Sequence, residues 1–161
     1  MDLGPTIIAF AICVAGAVLE GALAGRGVRA RFAELRQPPF SPSLTVWFLI
    51  GGVYYVICFV LLYRLLGSAL PSATHKAAFV LLLVLMAANA LWGFLFFRRR
   101  DLRLSFLAFL PYGLVGIALA LVLVVIDPTS ALVLIPYLFY LGYAAWWSRR
   151  LWILNRPEVV T

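Results

Sequence analysis

Charged side chains are scarce in this sequence. Only 12% of its 161 residues are Asp, Glu, Lys or Arg, whereas 65% are hydrophobic. Soluble domains have roughly a quarter charged and about half apolar residues. The composition therefore excludes an ordinary soluble domain and indicates an integral membrane protein. Because nearly all of the chain lies in apolar runs, no room is left for a soluble catalytic module, and we expect residues 1–161 to form one transmembrane domain.

Histidine and cysteine, which are frequent in catalytic and metal sites, are nearly absent. The single histidine, His75, lies in a polar link between apolar runs. No Ser–His–Asp or Cys–His set can therefore form at membrane depth, and no second ligand lies at metal spacing. Cys13 and Cys58 both fall inside apolar runs, which does not favour a structural disulfide. We predict no metal site, no required cofactor and no conventional hydrolase chemistry.

Five long apolar runs account for most of the chain. A helix rises 1.5 Å per residue, so about 20 apolar residues are needed to cross a hydrocarbon core roughly 30 Å thick. The clearest run, residues 77–97, has no charged residue and ends at three consecutive arginines. The predicted spans are residues 5–24, 44–66, 77–97, 104–126 and 131–154. The predicted fold class is an all-α integral membrane protein, a bundle of five transmembrane helices.

The positive charge is concentrated at one set of span ends. The first loop, the third link and the C-terminal end hold 11 of the 13 Lys and Arg residues, and only Arg64 and Lys76 lie on the other side. Membrane topology accounts for this distribution, so the net charge of +7 does not indicate a nucleic-acid partner. We predict the N-terminus outside and the C-terminus in the cytoplasm. The first run is expected to be retained, because it exceeds a typical signal-peptide core and no Lys or Arg precedes it.

Two residues of the third span are not explained by contact with lipid. Asn89 and Trp92 lie three residues apart and share one helix face. An amide in mid-span is costly toward lipid, so Asn89 should face protein or a cavity, with an interhelical hydrogen bond as the alternative to a ligand contact. For Trp92, an interfacial aromatic belt is the alternative to a place in a pocket wall. We prefer the pocket wall for Trp92.

Several other residues allow two interpretations. Glu20, the one acid in the first span, could reach the headgroups or serve a pocket or proton-handling role. Asp127 fits a turn residue or helix cap better than a ligand contact. Small residues recur every four positions in the first span, which suits packing within one bundle or a homodimer seam. They are Ala11 and Ala15, and Ala17, Gly21 and Gly25. Trp146, Trp147 and Trp152 beside two arginines predict an interfacial anchor.

Four short motifs occur in a characteristic order along the chain. They are Pro38-Pro39-Phe40-Ser41-Pro42 followed by Tyr55; Asn89-Ala90-Leu91-Trp92 with Phe96-Phe97; Asp127 with Ala131 and Pro136-Tyr137-Leu138; and Asn155-Arg156-Pro157. In this order and spacing, the chain from about Gly21 onward resembles the TspO/MBR family, the tryptophan-rich sensory or translocator proteins. The resemblance implies five helices around an internal pocket capped by the first loop, often in a homodimer, and binding of porphyrins or sterol-like hydrophobes.

The resemblance also suggests where the ligand would bind. Asn89 and Trp92 would line one side of a pocket beneath the first loop, and Tyr137 and Tyr140, which share a helix face, would line the other. The remaining candidate ligand-binding residues are Gly51, Tyr55, Phe40 and Pro42. Aromatic walls with a few polar groups would suit a flat, largely apolar ligand.

Some positions depart from the family pattern. Tryptophan is common in the family where this chain has Gly51 and Tyr140, and in the first loop where it has Pro39 and Phe40. Within the family, those tryptophans are tied to porphyrin binding and its photochemical breakdown, so their replacement counts against that reaction here. The Gly51–Gly52 pair either lets helices approach closely or enlarges the pocket, and both interpretations remain open.

Three classes of function follow from these observations. The preferred interpretation is a receptor- or sensor-like protein that binds porphyrins or similar hydrophobes. A carrier of tetrapyrrole or sterol-like ligands is the alternative, although the sequence shows no inverted repeats or intramembrane charge pairs. A pigment-degrading enzyme comes third because of the replaced tryptophans. The expected partners are the lipid bilayer, a hydrophobic small molecule and a second copy of the chain.

The charge asymmetry makes a direct prediction of topology. Reporter fusions at Arg100 and after Thr161 are expected to be cytoplasmic, and a fusion at Ser72 external, because strongly basic links stay in the cytoplasm. Paired fusions to alkaline phosphatase and to a fluorescent protein measure this, since the first is active outside and the second inside. An external C-terminus would contradict the prediction.

Overall fold

The computed structural model describes residues 2–68 and 72–156. Within these ranges the chain forms seven α-helices and no strand. They are α1 (Leu3–Ala24), α2 (Val28–Glu34), α3 (Leu44–Leu66), α4 (Ala73–Gly93), α5 (Leu102–Leu107), α6 (Phe109–Ile126) and α7 (Pro128–Leu154). A π-helical turn, Phe94–Arg98, continues α4. Residues 69–71 of the second link and Pro157 of the C-terminal motif lie outside the described residues.

Five helical segments in the described part of the chain are long and apolar enough to cross a membrane. They are Leu3–Ala24, Leu44–Leu66, Ala73–Arg98, Leu102–Ile126 and Pro128–Leu154. The predicted all-α fold with five spans is therefore confirmed, and the protein is an integral, multi-pass membrane protein. Large apolar side chains such as Val53, Leu121 and Phe139 remain exposed on the outer faces, as contact with lipid requires.

Capping residues explain why three spans begin two to four residues before their predicted starts. The side chains of Ser72, Asp101 and Asp127 accept hydrogen bonds from backbone amides in the first turns of α4, α5 and α7. These bonds satisfy amides that a helix start leaves unpaired. The helix therefore begins at the cap, in polar sequence, and not at the first residue of the apolar run.

The fourth span is interrupted between α5 and α6 at Ala108. Pro111 supplies the reason, because a proline ring clashes with the carbonyl four residues earlier. That residue is Leu107, where α5 ends. The interruption leaves α5 as a short separate helix that packs against α7, where Phe106 stacks on Trp152 with ring centroids 5.9 Å apart.

Helix α4 lies centrally and packs against α1, α3 and α6, while α7 packs against α3, α5 and α6. Leucines with no exposed surface, among them Leu82, Leu119 and Leu134, form the main core between these helices. A second buried cluster lies toward the α7 C-terminus. It comprises Leu35, Phe96, Leu102, Trp147 and Leu151. The space between the two clusters holds the candidate site.

An ion pair joins α3 to the connection between α6 and α7. Arg64 donates from Nε and Nη2 to the two carboxylate oxygens of Asp127, each at 2.8 Å. Asp127 also accepts from the Ser130 backbone amide, which caps α7. The Arg64 guanidinium and the Ser130 donors hold the pKa of the Asp127 carboxyl well below its usual value. The predicted role of Asp127 as a helix cap is confirmed.

The depressed pKa of Asp127 predicts how stability depends on pH. The ionised carboxylate contributes fully above the unfolded pKa of about 3.9, and this contribution is lost as the pH falls through the lower folded pKa. Asp127→Asn should therefore lower the unfolding temperature equally at pH 7 and pH 5, and less at pH 3. Thermal unfolding in detergent, followed by circular dichroism, measures the difference.

Glu34→Gln is the matched control, because this half-exposed acid lies 3.6 Å from its arginine partners and should contribute little. An effect of Asp127→Asn that grows toward acid pH would contradict the assignment.

Candidate ligand-binding site

A cavity of about 350 Å³ lies inside the bundle. Its volume is within the range of about 300–1,000 Å³ that small-molecule sites occupy. The walls come from α1, α2, α3, α7 and from α4 with its π-helical turn. The principal lining residues are Ala17, Glu20, Gly21, Phe32, Trp47, Phe48, Gly51, Tyr54, Tyr55, Asn89, Trp92, Phe96, Tyr137, Tyr140 and Trp147. Helices α3, α4 and α7 supply the six lining residues that the sequence suggested for ligand binding, and α1 and α2 add further parts of the wall.

The structure brings together most of the residues that the sequence suggested for ligand binding. Six of them line the cavity, and their role in binding stays a prediction. They are Asn89, Trp92, Tyr137, Tyr140, Gly51 and Tyr55. Phe40 and Pro42 are not among the lining residues. Phe40 is 91% exposed and has a φ of 62°, so its ring lies outside the bundle at the tip of the first loop.

The first loop is nevertheless held against the cavity. The Tyr143 hydroxyl donates to the Phe40 carbonyl at 3.0 Å, and Trp147 Nε1 donates to Ser41 Oγ at 2.8 Å. Within the same loop, α2 adds Val28 and Phe32 to the cavity wall. The loop therefore covers part of the cavity through α2 and is held by bonds to α7, and the Phe40 side chain does not line the cavity.

Aromatic rings form a nearly continuous wall on the α3, α4 and α7 sides. Trp47 contacts Trp147 with ring centroids 4.8 Å apart and Tyr140 at 6.1 Å. Trp92 stacks on Phe96 at 5.1 Å with an interplanar angle of 17°. Such contacts fix the orientation of each ring, because offset and edge-on pairs contribute about 0.5–1.5 kcal/mol beyond their buried area.

Sequence reasoning missed Trp47, Tyr54 and Trp147 as cavity residues. Trp147 is 1% exposed, so its prediction as an interfacial anchor is wrong. The helical repeat could have located it, because positions 140 and 147 lie seven residues apart and share a face. Trp47 lies four residues before Gly51, which also places the two on one face of α3.

A polar cluster at the cavity wall joins five helices. Glu20 Oε2 accepts from the Tyr55 hydroxyl at 2.8 Å and from Asn89 Nδ2 at 3.0 Å. Asn89 Oδ1 accepts from the Tyr112 hydroxyl at 3.1 Å, and that hydroxyl also bonds with the Tyr137 hydroxyl. The cluster therefore connects α1, α3, α4, α6 and α7 in one hydrogen-bonded series.

This cluster decides between interpretations that the sequence left open. Glu20 bonds inside the bundle and lines the cavity, so its carboxylate does not reach toward the headgroups. Asn89 makes interhelical hydrogen bonds and also lines the cavity, so its two proposed roles are compatible. Glu20 Oε2 and both polar atoms of the Asn89 side chain have hydrogen-bond partners, as a low-dielectric interior requires.

Three buried donors at the cavity have no such partner. The indole Nε1 atoms of Trp47 and Trp92 and the hydroxyl of Tyr54 form no hydrogen bond within the described residues. All three residues line the cavity. Because an unpaired buried donor costs about 1–3 kcal/mol, a ligand with acceptor atoms at these positions would recover that free energy.

Small residues define the remaining wall. A Cβ atom built at Gly21 or Gly51 would meet no atom within 4 Å, and both positions line the cavity. Of the two interpretations of Gly51, the structure therefore favours an enlarged cavity over close helix packing. Gly52 has equally open space around it and lies outside the lining.

Comparison with known proteins gives two matches that cover most of the chain. The model of the TspO/MBR family matches residues 9–153. The chain is also 30% identical over 135 residues to the protein named "Translocator protein" from Ovis aries. That alignment covers 82% of this chain and 78% of the relative. The family model covers α2 to α6 completely, α1 from residue 9 and α7 up to residue 153, and therefore includes the whole cavity wall.

A double-mutant cycle tests the polar cluster. Asn89→Leu and Tyr112→Phe should each lower stability, and their effects should be coupled by about 0.6 kcal/mol, up to about 1.7, because the two side chains share a hydrogen bond. Denaturant or thermal unfolding of all four proteins in detergent gives the coupling. The control cycle pairs Asn89→Leu with Tyr143→Phe, whose hydroxyl bonds to Phe40, and should be additive within about 0.3–0.5 kcal/mol. Equal coupling in both cycles would contradict the assignment.

Proposed function

Because the chain belongs to the TspO/MBR family, a membrane sensor or transporter type of protein, we propose that it binds porphyrins or similar flat hydrophobic ligands in the cavity between its helices. The observation that carries this proposal is the pairing of aromatic walls with unpaired buried donors. The ligand that best fits such a site has a broad apolar face and acceptor atoms at its edge. Tetrapyrroles combine a conjugated ring with carboxylate side groups and so match both requirements.

The site also separates the polar from the apolar part of such a ligand. Trp47 and Trp92 both line the cavity, and the indole N–H of each is buried without a hydrogen-bond partner in the described structure. Glu20 and Asn89 form the polar side and are already bonded to Tyr55 and Tyr112. A ligand would thus stack on the rings and meet the free donors without breaking the Glu20 cluster.

Substitution of Trp92 tests the proposal. Trp92→Ala should weaken protoporphyrin binding about tenfold or more, because loss of stacking and of a donor exceeds 1.4 kcal/mol. Trp92→Phe keeps an aromatic face and loses the N–H, so it should fall between wild type and Ala. Trp146→Ala is the matched control, since Trp146 is 40% exposed and does not line the cavity. Titration followed by absorbance and fluorescence gives the affinities.

Equal losses for Trp92→Ala and Trp146→Ala, or no loss for either in a protein that still binds, would place the ligand elsewhere. The same titration in light and in darkness, combined with a flux assay in vesicles, separates the three classes of function. Stable binding alone supports a sensor, ligand-dependent flux supports a carrier, and light-dependent loss of pigment supports an enzyme.

We further propose a homodimer with the N-terminus outside and the C-terminus in the cytoplasm. The support for a dimer is the outer face of α1, on which Ala11 and Ala15 are exposed at a four-residue spacing. Small residues at this spacing allow close helix contact in a bilayer. Gly21 is a weaker candidate for the seam, because it lines the cavity.

Ala15→Leu is expected to shift crosslinked dimer toward monomer, because the larger side chain prevents close approach of two α1 helices. Phe10→Leu is the control, because Phe10 is exposed and points about 100° or more away from both Ala11 and Ala15 on the same helix. Crosslinking in detergent or native membranes, with far-UV circular dichroism to verify folding, measures the effect. A dimer that survives Ala15→Leu would exclude this face.

A further inference from the structure

A second cavity, about 540 Å³ in volume, opens where α2, the link after the π-helical turn and the C-terminal end of α7 meet. It is separate from the aromatic cavity and has a different chemistry. Five of its lining residues are arginines: Arg31, Arg99, Arg100, Arg103 and Arg156. Glu34 and Asp101 are the acids in its wall. We call this site the arginine cleft.

The acids leave much of this positive charge without a partner. Arg31 and Arg100 both approach Glu34 Oε2, each at 3.6 Å, so one carboxylate serves two guanidinium groups. The Asp101 carboxylate caps α5 by accepting from the Leu104 amide. Within residues 2–68 and 72–156, no ion pair forms at Arg99 or Arg103. The cleft therefore has an excess of positively charged hydrogen-bond donors.

Membrane topology alone does not account for this arrangement. Positive residues on one side of the membrane need only lie near the span ends, as the exposed Arg149 and Arg150 do without lining the cleft. In the cleft, by contrast, the arginines come from three separate segments. Arg100 adopts a φ of 59°, an uncommon conformation for a residue with a side chain. The Arg31 side chain is only 12% exposed, and its Nε is buried without a hydrogen-bond partner in the described structure.

The surroundings of the cleft are those of a lipid site. Leu35, Leu102 and Trp152 supply apolar surface to its wall. Arg156 lies 4.0 Å from the centre of the Trp152 ring, so this guanidinium is held at the rim. Leu104 and Leu107 are exposed on the adjoining helix α5, on a face that contacts lipid in a spanning segment. A phospholipid whose headgroup lies in the cleft would thus have exposed apolar side chains of α5 nearby for its acyl chains.

We propose that the arginine cleft binds the phosphate group of an anionic phospholipid from the leaflet that surrounds this end of the bundle. Guanidinium groups bind phosphate oxygens through paired, charge-assisted hydrogen bonds. Basic pockets among the ends of transmembrane helices are suited to anionic headgroups. Arg99 and Arg103, which line the cleft and form no ion pair in the described structure, are the main contacts. This proposal is independent of the ligand in the aromatic cavity.

Native mass spectrometry of the full chain with added phosphatidylglycerol tests the proposal. The wild type should retain phosphatidylglycerol in preference to phosphatidylcholine, and Arg99→Gln/Arg103→Gln should weaken that retention about tenfold. Arg149→Gln/Arg150→Gln removes the same charge at the same end of the bundle and should leave retention unchanged. Equal loss in both double variants would indicate a general charge effect and overturn the proposal, as would unchanged retention in both.

A competition arm identifies the source of the phosphate. Glycerol 3-phosphate and inorganic phosphate should displace the lipid only at far higher concentrations, because they lack the acyl chains that contact α5. Displacement by either at the concentration of the lipid itself would overturn the assignment to a phospholipid. Far-UV circular dichroism and size-exclusion profiles that match wild type establish that the variants are folded. If Arg99→Gln/Arg103→Gln does not fold, Arg99→Lys/Arg103→Lys takes its place. This variant keeps the charge but loses the bidentate hydrogen bonds of the guanidinium group, so it should still reduce retention.

Discussion

The hydrogen-bonding demand of the backbone in hydrocarbon underlies this structure. Without water, each amide and carbonyl must find a partner within the protein, and a helix provides one inside a single segment. The five spans meet that demand, and where they start or break, side chains such as Ser72 and Asp127 satisfy the free amides. The same demand applies to polar side chains, which must pair inside the bundle.

The Glu20 cluster shows how pairing inside the bundle creates a site. A carboxylate on α1 is tolerated because Tyr55 and Asn89 donate to it from two other helices. Those bonds hold α1 beside α3 and α4, while glycine and alanine on the facing surfaces leave the space unfilled. The cavity is therefore a consequence of helices held together by polar contacts at positions where their side chains are too small to fill the gap.

Helix α2 lies between the two cavities and contributes to both. Phe32 lines the aromatic cavity, and Arg31, the preceding residue, lines the arginine cleft. Adjacent helical residues point about 100° apart, so one short helix can separate an apolar site from a charged one. The buried cluster around Phe96 and Trp147 packs against Phe32 and forms the partition. The aromatic site and the charged site thus depend on the same short segment of the first loop.

The sequence by itself determined the fold class, the number of spans and their approximate limits, because length and apolar composition are local properties that a bilayer selects directly. It also indicated Asn89 as an inward-facing residue, since an amide in mid-span has few alternatives. Six cavity residues were predicted from family motifs and helical spacing, and the structure brings these six together.

Only the tertiary structure decided which side chains meet. Phe40 belongs to the same motif as Ser41, yet the two side chains have different surroundings. The backbone turn at Phe40, with a φ of 62°, leaves the Phe40 ring outside the bundle, whereas Ser41 Oγ accepts a hydrogen bond from Trp147. Glu20 and Asn89 are 69 residues apart, and the arginines of the cleft come from three segments. Such contacts depend on how helices rotate and approach one another. That arrangement results from packing summed over the bundle and is not encoded in any one segment.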